Sequence, residues 1–529
     1  MRPLNRLAGR LATVVKSLTL VAIAFFIWLL FIQGKDRMTN HNLNAAFIEY
    51  QAASSYDPLK IQFSPEYVFL QNIYSPLLET SINGEIISGL AERYDWVGTE
   101  LHFRMRAGLK TIDGHPITAR DAEVSFKRVL LLQGGTHTDL ADMVCPGKPL
   151  KHLTDPCIGM EVRDDGATLV LKLKKKNAAI LKTFTSLDLA VIPTNSLAPE
   201  THAITDYRNT SGPYYVEHDD TEGKIRLAAN PAHYHYSKRI PQIVQLVPAG
   251  KNGIRESLEL FDQGKVDHIM SCDKAKPEIL IEYAKTHKRD VNLHTTSPFN
   301  LHMIAFTRKG VSRFSEEERF KIGYGLRRIY LTRALHIPGM EEAQQMVPPY
   351  GTEMLTEEQL SKFNSIRMQA QDAEFLPQKI FAWNLSIGNL YAQDADALKK
   401  YFPNMRIEIG KSVPALTDFK KAGIEEPDLM FVGIDMGLEE SVGRMSYTTN
   451  AGLFYSPGMD VKKWVSRYMA TEDKKRRIAM ARDIHYETLA HACSIPMVWS
   501  PYAAIVRKPW RMDFSKIYPS SYLWRIHRD

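Results

Sequence analysis

The stretch LHFRMRAGLKTIDGHPITARDAEVSF, residues 101–126, decides the fold class of this chain. Its first six residues alternate apolar and polar side chains, which predicts a half-buried strand. Asp113-Gly114 is a turn signal, and Thr118 is placed to cap a helix whose apolar face begins at Ala122. A strand, a turn and a helix in this order indicate a mixed α/β chain.

The same alternation of elements continues on both sides of this stretch. An Asp-Asp-Gly sequence at 164–166 separates two extended runs and predicts a β-hairpin. The segments KIFAW, MRIEI and DLMFVGI are three short apolar strands separated by helical or turn segments, so residues 305–490 form a second α/β unit. At 529 residues, the chain exceeds what one core usually supports.

Composition and motifs argue for a globular, non-catalytic protein. The chain has 44% hydrophobic and 24% charged residues, and its net charge of +7 is too small for this length to indicate nucleic acid. It contains no P-loop, GxGxxG, GxSxG or HExxH motif. We therefore expect no enzyme activity, no cofactor, no metal and no nucleic-acid partner.

The N-terminal segment, residues 1–40, carries an export signal. Residues 17–32, SLTLVAIAFFIWLLFI, form an uncharged apolar run that follows four basic residues. No small-x-small cleavage site follows Ile32, which favours an uncleaved membrane anchor over a removed signal peptide. The chain is thus expected on the outer side of a membrane, either tethered there or released if the segment is cleaved; the resemblance described below makes this the periplasmic face of a bacterial inner membrane, or the soluble periplasm.

An exported chain can oxidise its cysteines. Cys145 and Cys157 flank a segment that contains proline and glycine, and a disulfide closes such a loop easily. The alternative is a pair of free thiols. No cysteine precedes Cys145, so the sequence lacks the lipid-modified cysteine that tethers many exported proteins.

The order of motifs along nearly the whole exported chain resembles the extracytoplasmic solute-binding proteins of family 5, the peptide and nickel receptors of ABC importers. The most specific part is the stretch 101–126, with its Arg-x-Gly-Leu-Lys turn and Asp-Gly-x-Pro-x-Thr sequence. The other matching segments are YDP at 56–58, NIYSPLLE at 72–79, GEIISGLAERYDW at 84–96, SGPYYV at 211–216, NPAHYH at 230–235, GKVDHI at 264–269, ERFKIGYGLRRIYL at 318–331 and IPMVWSPYAAIVRK at 495–508.

The resemblance implies a two-lobed periplasmic-binding-protein fold of type II, with an extra subdomain in the first lobe. Residues 41–303 would form the first lobe, residues 304–496 the second, and residues 497–529 the return to the first. Two crossing strands would join the lobes, with hinge residues Asn300, His302, Ile495 and Pro496. Such hinged lobes close around a ligand, and the ligand stabilises the closed state.

The resemblance also implies a ligand cleft in which backbone groups pair with an extended peptide and a second-lobe carboxylate holds its amino group. The implied residues are Ala52, Ala53, Ser54, Ser55 and Tyr74 in the first lobe, and Trp383, Asn384, Gly433, Asp435 and Glu439 in the second. The chain departs from the family where Gly-Trp is expected, because Gly433 is followed by Ile434. The amino-group anchor is then Asp435 or Glu439, or is absent, and Asp435 could instead cap a strand end.

The function implied is a monomeric receptor that binds a short peptide and delivers it to an ABC permease. Two alternatives remain open at this point. One keeps the fold but changes the solute to a nickel chelate, a sugar or another metabolite, since a fold does not settle the ligand. The other is a membrane-anchored sensor or assembly factor.

Overall fold

The structure is a computed structural model with side chains. It describes residues 42–47, 56–61, 64–132, 144–145, 150–174, 176, 178–219, 224–248, 253–270, 277–369, 379–384, 395–409, 419, 425–436, 440–443, 454–515 and 522–528. The predicted signal or anchor segment, residues 1–40, lies outside the described residues. Of the helices in the described ranges, none is long and apolar enough to cross a bilayer.

The described residues form mixed α and β structure. The strands are β1 Asn42–Phe47, β2 Leu78–Thr80, β3 Ile86–Ser88, β4 Ala91–Val97, β5 Glu100–Met105, β6 Met160–Arg163, β7 Thr168–Lys172, β8 Tyr214–Asp219, β9 Ile225–Ala229, β10 Ile243–Pro248, β11 His268–Met270, β12 Val291–Thr295, β13 Asn300–Phe306, β14 Glu341–Glu342, β15 Ile380–Asn384, β16 Met405–Ile409, β17 Leu429–Asp435, β18 Ser494–Ser500, β19 Ala503–Arg507, β20 Arg511–Met512 and β21 Ile526–His527. The helices are α1 Ser64–Ile73, α2 Ala119–Leu132, α3 Ile254–Asp262, α4 Pro277–Thr286, α5 Arg308–Arg313, α6 Glu316–Ala334, α7 Glu357–Gln369, α8 Ala395–Tyr401, α9 Val461–Met469 and α10 Lys474–Ala490.

Two large sheets form the two lobes. The first is seven-stranded, in the order β12-β19-β11-β1-β10-β9-β8, and it combines the early strands with the late strand β19. The second is six-stranded, in the order β14-β18-β13-β17-β15-β16. Each sheet has its own buried apolar core, which is the physical basis for treating the lobes as separate units.

A third sheet forms the extra subdomain of the first lobe. It is four-stranded, in the order β4-β5-β7-β6, and it packs under α2 around a separate apolar core. Leu101, Phe103 and Met105 of β5 are buried while the residues between them are more exposed, which confirms the alternation predicted from the sequence. The predicted cap also forms, because the Thr118 hydroxyl accepts a hydrogen bond from the Arg120 N–H at 3.2 Å.

The predicted hairpin at 164–166 joins β6 to β7, and its three residues adopt positive φ angles of 54°, 52° and 90°. A disulfide joins Cys145 to Cys157, the pair proposed from the sequence, with the two Cα atoms 5.1 Å apart. Cys493 is a buried free cysteine, and Cys272 lies outside the described residues.

The lobes exchange chain a few residues away from the expected boundaries. Residues 300–303 belong to β13 of the second sheet rather than to the first lobe, and residues 497–500 belong to β18 of the same sheet. The chain passes between the two sheets at residues 296–299 and again at 501–502. The apolar runs that predicted the crossings form strands β13 and β18. Both strands pair within the second sheet.

A buried ion pair links the first lobe to its subdomain. Asp57 follows Tyr56 in the YDP segment, and Arg128 lies on α2. The guanidinium donates two hydrogen bonds to the carboxylate, at 3.0 Å and 2.5 Å, and its Nε–H donates a third to the His202 carbonyl at 2.7 Å. Both side chains are almost fully buried, so neither charge can be solvated if the other is removed.

Replacing Arg128 with Met should therefore destabilise the protein strongly. We expect a loss of about 3–5 kcal/mol in the free energy of unfolding, because Asp57 would keep a buried charge without its partner. Urea denaturation measures the loss. The matched control is Lys362→Met, which removes an exposed ion pair to Glu358 and should change stability by less than about 1 kcal/mol. Equal effects of the two substitutions would contradict this account.

Candidate functional site

The two crossing segments, residues 296–299 and 501–502, lie side by side. The Thr296 N–H donates to the Tyr502 carbonyl at 3.0 Å, and the Phe299 N–H donates to the Ser500 carbonyl at 3.2 Å. The Tyr502 N–H returns a bond to the Thr296 hydroxyl at 2.8 Å, and the rings of Phe299 and Tyr502 lie 5.1 Å apart. Because the segments are hydrogen-bonded to each other, rotation of one lobe against the other bends them together.

The carboxyl ends of strands from both sheets meet at these crossings. In the first sheet β1 is parallel to β10 and β11, while β11 and β12 are both antiparallel to β19, so four strands end beside the start of β19. In the second sheet, Asn300 at the start of β13 lies opposite Asp435 at the end of β17 and Ser500 at the end of β18. Ligands of open α/β sheets bind in the crevice at such carboxyl ends.

Asp435 places a carboxylate at this crevice. Its Oδ1 accepts a hydrogen bond from the Asn300 side-chain amide at 2.7 Å and another from the Tyr502 hydroxyl at 3.4 Å. The residue is half-buried. The Tyr350 hydroxyl donates to the Pro298 carbonyl at 3.3 Å, and burial, followed by the nearby charge of Asp435, raises the pKa of Tyr350. A carboxylate of the second lobe is thus hydrogen-bonded to a crossing segment.

After β17 the structure describes Met436 and residues 440–443, which we call the β17 loop, and buried hydrogen bonds hold both parts. The Met436 N–H donates to the Phe299 carbonyl at 2.9 Å, which fastens the loop to a crossing segment. The Ser441 hydroxyl donates back to the Met436 carbonyl at 3.0 Å. Two carboxylates, those of Glu353 and Glu440, support the rest of the loop.

Glu353 is fully buried beneath the β17 loop. Its Oε1 accepts from the Val442 N–H at 3.1 Å and its Oε2 accepts from the Thr352 hydroxyl at 3.0 Å. Burial raises the pKa of Glu353 to about 7, against the opposing effects of the Thr352 hydrogen bond and then of the Lys182 charge. Lys182 belongs to the first lobe, so a positive charge of the first lobe acts on a carboxyl group of the second.

Glu440 is a second buried carboxylate, and its contacts are structural. It has a positive φ of 54°, an unusual conformation for a residue with a side chain. Its Oε1 lies 3.0 Å from Arg477 and its Oε2 accepts from the Tyr468 hydroxyl at 3.1 Å. A Cβ on Gly443 would come within 2.1 Å of the Tyr468 ring, so that position has room only for glycine.

The structure brings some predicted site residues together and separates others. Asn300, His302, Gly433 and Asp435 lie on the paired strands β13 and β17, at or near the crossings. Ile495 and Pro496 lie further inside the second lobe, where β18 pairs with Ile304 and Met303. The crossing segments themselves are residues 296–299 and 501–502, and Asn300 directly adjoins the first of them.

The remaining predicted residues lie away from Asp435 or outside the described part. Tyr74 is fully buried in the first-lobe core beside a small pocket, and its hydroxyl has no hydrogen-bond partner among the described residues. Trp383 is buried on β15, where it pairs across the sheet with Met430. Asn384 ends β15, but its side chain is not described. Residues 52–55 and Glu439 also lie outside the described residues.

Sequence reasoning missed Glu353, Tyr350 and the role of Tyr502. Glu353 and Tyr350 are in a loop without a motif; folding brings the Tyr350 hydroxyl to the Pro298 carbonyl and the Glu353 carboxylate to the Val442 N–H. Within the described ranges, there is no group of three or more His, Cys, Asp or Glu residues that could hold a metal ion.

Comparisons with known proteins find one family model and several relatives of similar sequence or fold. Residues 85–320 match the family model for bacterial extracellular solute-binding proteins, family 5 Middle, which confirms the resemblance seen in the sequence. The periplasmic oligopeptide-binding protein OppA of Salmonella typhimurium is 24% identical over 293 residues, 51% of each chain. The chain thus spans about half the length of this curated relative.

Two solved structures share the fold. OppA of Haemophilus influenzae in complex with RPPGFSPFR has a TM-score of 0.71 at 15% identity and covers 93% of this chain and 99% of its own. The binding protein AgaA of A. tumefaciens R10 in complex with agropinic acid has a TM-score of 0.68 at 15% identity, with 92% and 99% covered. The matched family model and the curated relative are those of solute-binding and oligopeptide-binding proteins.

The raised pKa of Glu353 makes stability depend on pH. The folded protein holds this proton more tightly than the unfolded chain, whose carboxyl has its ordinary value of 4.5. The protonated Glu353 carboxyl therefore makes its full contribution to the free energy of unfolding below pH 4.5. This contribution is lost as the pH rises through about 7. We expect Glu353→Gln, which is neutral at every pH, to gain stability over the wild type by a few kcal/mol on going from pH 5 to pH 8.

Urea unfolding of both proteins across this pH range measures the difference. Glu357→Gln, at an exposed position of the same lobe, is the control and should keep the wild-type pH profile. If the profiles of the wild type and Glu353→Gln run parallel, Glu353 does not titrate as described.

Proposed function

We propose that this chain, which matches the model of the bacterial extracellular solute-binding proteins, family 5 Middle, over residues 85–320, is the receptor of an ABC importer and binds a short peptide between its lobes. The observation that carries the proposal is the position of Asp435. A carboxylate at the carboxyl end of β17, beside both crossing segments, is placed to meet a ligand that the closing lobes enclose.

Peptide chemistry suits this position. A peptide's N-terminal ammonium forms charge-assisted hydrogen bonds with a carboxylate, and these are stronger than neutral ones. Its backbone can add to strand ends without regard to side-chain sequence. Ala52, Ala53, Ser54 and Ser55, which follow β1, are proposed for that pairing, with Glu439 as the second choice for the ammonium. The peptide in the H. influenzae OppA complex supports the ligand class.

A non-peptide solute is the second candidate. The family pattern has a tryptophan where this chain has Ile434, so one wall of the expected cleft differs. AgaA, with the same fold, is in complex with agropinic acid. A small organic solute is therefore the alternative that a ligand screen should include.

We further propose that residues 17–32 tether the receptor to the outer face of the inner membrane, where it delivers its solute to the permease. The run is apolar and uncharged, and the linker of residues 33–41 leads directly into β1. Carbonate extraction of membranes should leave the full chain in the pellet, because an inserted helix resists alkaline washing. A chain starting at residue 41 should move to the soluble fraction; a shortened, soluble full-length product would show that the segment is cleaved.

Peptide binding can be tested by thermal unfolding with pools of di- to pentapeptides. A ligand at a hundred times its dissociation constant adds about 2.7 kcal/mol, which raises the melting temperature measurably. Pools of sugars and organic acids are the comparison. Stabilisation by one of these and by no peptide pool would overturn the peptide proposal.

Asp435→Ala should weaken binding of a free-amine peptide by well over tenfold, on the order of 2 kcal/mol, because the ammonium would lose its charged partner. Isothermal titration measures the affinity, with Glu357→Ala as the exposed control on the same lobe. An N-acetylated copy of the peptide, which has no ammonium, should lose little on the same substitution. An equal loss for both peptides would remove Asp435 from the amino-group site.

A further inference from the structure

A chain of side chains runs from the second-lobe helix α6 to Asp435. The Tyr330 hydroxyl on α6 lies 2.7 Å from Nδ1 of His302, and Nε2 of His302 lies 3.1 Å from the Ser500 hydroxyl. The Ser500 hydroxyl lies 3.4 Å from Oδ1 of Asn300, whose amide nitrogen lies 2.7 Å from the Asp435 carboxylate. Four hydrogen bonds thus connect five side chains on one helix and three strands.

The chemistry of these groups gives the chain one direction. Asp435 as a carboxylate only accepts, so Asn300 must donate its N–H and present its carbonyl to Ser500. Ser500 has a single hydroxyl hydrogen, and it goes to that carbonyl. The Ser500 oxygen can then only accept from His302, which must carry its hydrogen on Nε2 and accept from Tyr330 at Nδ1.

The surroundings of His302 agree with this tautomer. Burial lowers the pKa of His302 to about 4, so the imidazole is neutral near pH 7 and has one donor and one acceptor nitrogen. Tyr330, Ser500 and Asn300 are buried. Gly433 on β17 pairs directly with His302 on β13. Because Gly433 has no side chain, it leaves room for the His302 ring on that face of the sheet.

We propose that Tyr330, His302, Ser500 and Asn300 form a directed hydrogen-bond chain that positions the Asp435 carboxylate for the ligand's ammonium. Every donor in the chain points toward Asp435, and aligned hydrogen bonds strengthen one another. Asn300 and Ser500 are the strand residues that adjoin the two crossing segments, so the chain also ties the ligand's anchor to the hinge. The ligand contact rests on the function proposed above; the direction of the chain does not.

The direction can be tested without any ligand. Nitrogen-15 NMR of histidine-labelled protein distinguishes the two ring tautomers, and His302→Gln identifies the signal. We expect His302 to be neutral near pH 7 with its hydrogen on Nε2, and Ser500→Ala to shift the Nε2 resonance. A hydrogen on Nδ1, or a doubly protonated ring at pH 7, would overturn the proposal whatever the protein binds.

The positioning role is tested by comparing His302→Leu with His302→Gln. Leucine breaks the chain, whereas glutamine can accept from Tyr330 through its carbonyl and donate to Ser500 through its amide. We expect His302→Leu to bind a free-amine dipeptide about tenfold more weakly and its N-acetylated copy almost unchanged, with His302→Gln close to the wild type. Equal losses for both ligands, or no rescue by glutamine, would reduce His302 to a packing residue.

Ser500→Ala covers the possibility that His302→Leu fails to fold, since it removes only one hydroxyl from the chain. It should show the same selective loss for the free-amine dipeptide, in smaller measure. If no pool of di- to pentapeptides stabilises the wild type, the proposed peptide function and the ligand part of this proposal fail together, and the NMR result alone decides whether the directed chain exists.

Discussion

The structure depends on one constraint: in the described part of the chain, the backbone passes between the two lobes at residues 296–299 and 501–502, and these two segments run side by side. Strands of both sheets end there, which brings the loops that follow them to one place. In this fold, a site at the crossings can therefore be lined by residues of both lobes. A ligand held there loses its water on both sides when the lobes close, and electrostatic contacts strengthen as water leaves.

Burying acids near the crossings is costly, and the second lobe offsets that cost in different ways. Glu440 is neutralised by Arg477 and bonded by Tyr468, as a buried charge requires. Glu353 has neutral donors and a distant lysine, so burial raises its pKa instead. Asp435 keeps partial exposure and takes hydrogen bonds from Asn300 and Tyr502. Of the three, Asp435 is the most exposed, which is why it is the carboxylate proposed to bind the ligand.

Local sequence patterns predicted the elements of the fold well. The alternation in β5, the cap at Thr118 and the hairpin at 164–166 depend on neighbours in the chain, so they were visible before the structure. The positions of the crossings were a few residues off, because an apolar run looks the same inside a sheet and between sheets. Periodicity predicts the helices and strands, whereas the division into two lobes with an extra subdomain comes from the family resemblance.

The candidate site was less predictable because its contacts are non-local. Asp435 could be named from a motif, but its bonds to Asn300 and Tyr502 join residues far apart in sequence. Glu353 stands in a loop without any pattern, and only folding places it beneath Val442. The family resemblance implies Tyr74 and Trp383 as cleft residues, but their burial depends on packing that a single sequence does not reveal.

The contacts of Asp435 also bear on how binding could drive closure. A ligand shifts an equilibrium between open and closed forms only by its difference in affinity for the two. A carboxylate can accept about four hydrogen bonds, so an ammonium could bind Asp435 while Asn300 and Tyr502 keep their bonds. The Tyr502 bond joins the carboxylate to a crossing segment, so its geometry changes when that segment bends. If the proposed function holds, such a change would move the carboxylate relative to the ligand, and affinity would then depend on the angle between the lobes.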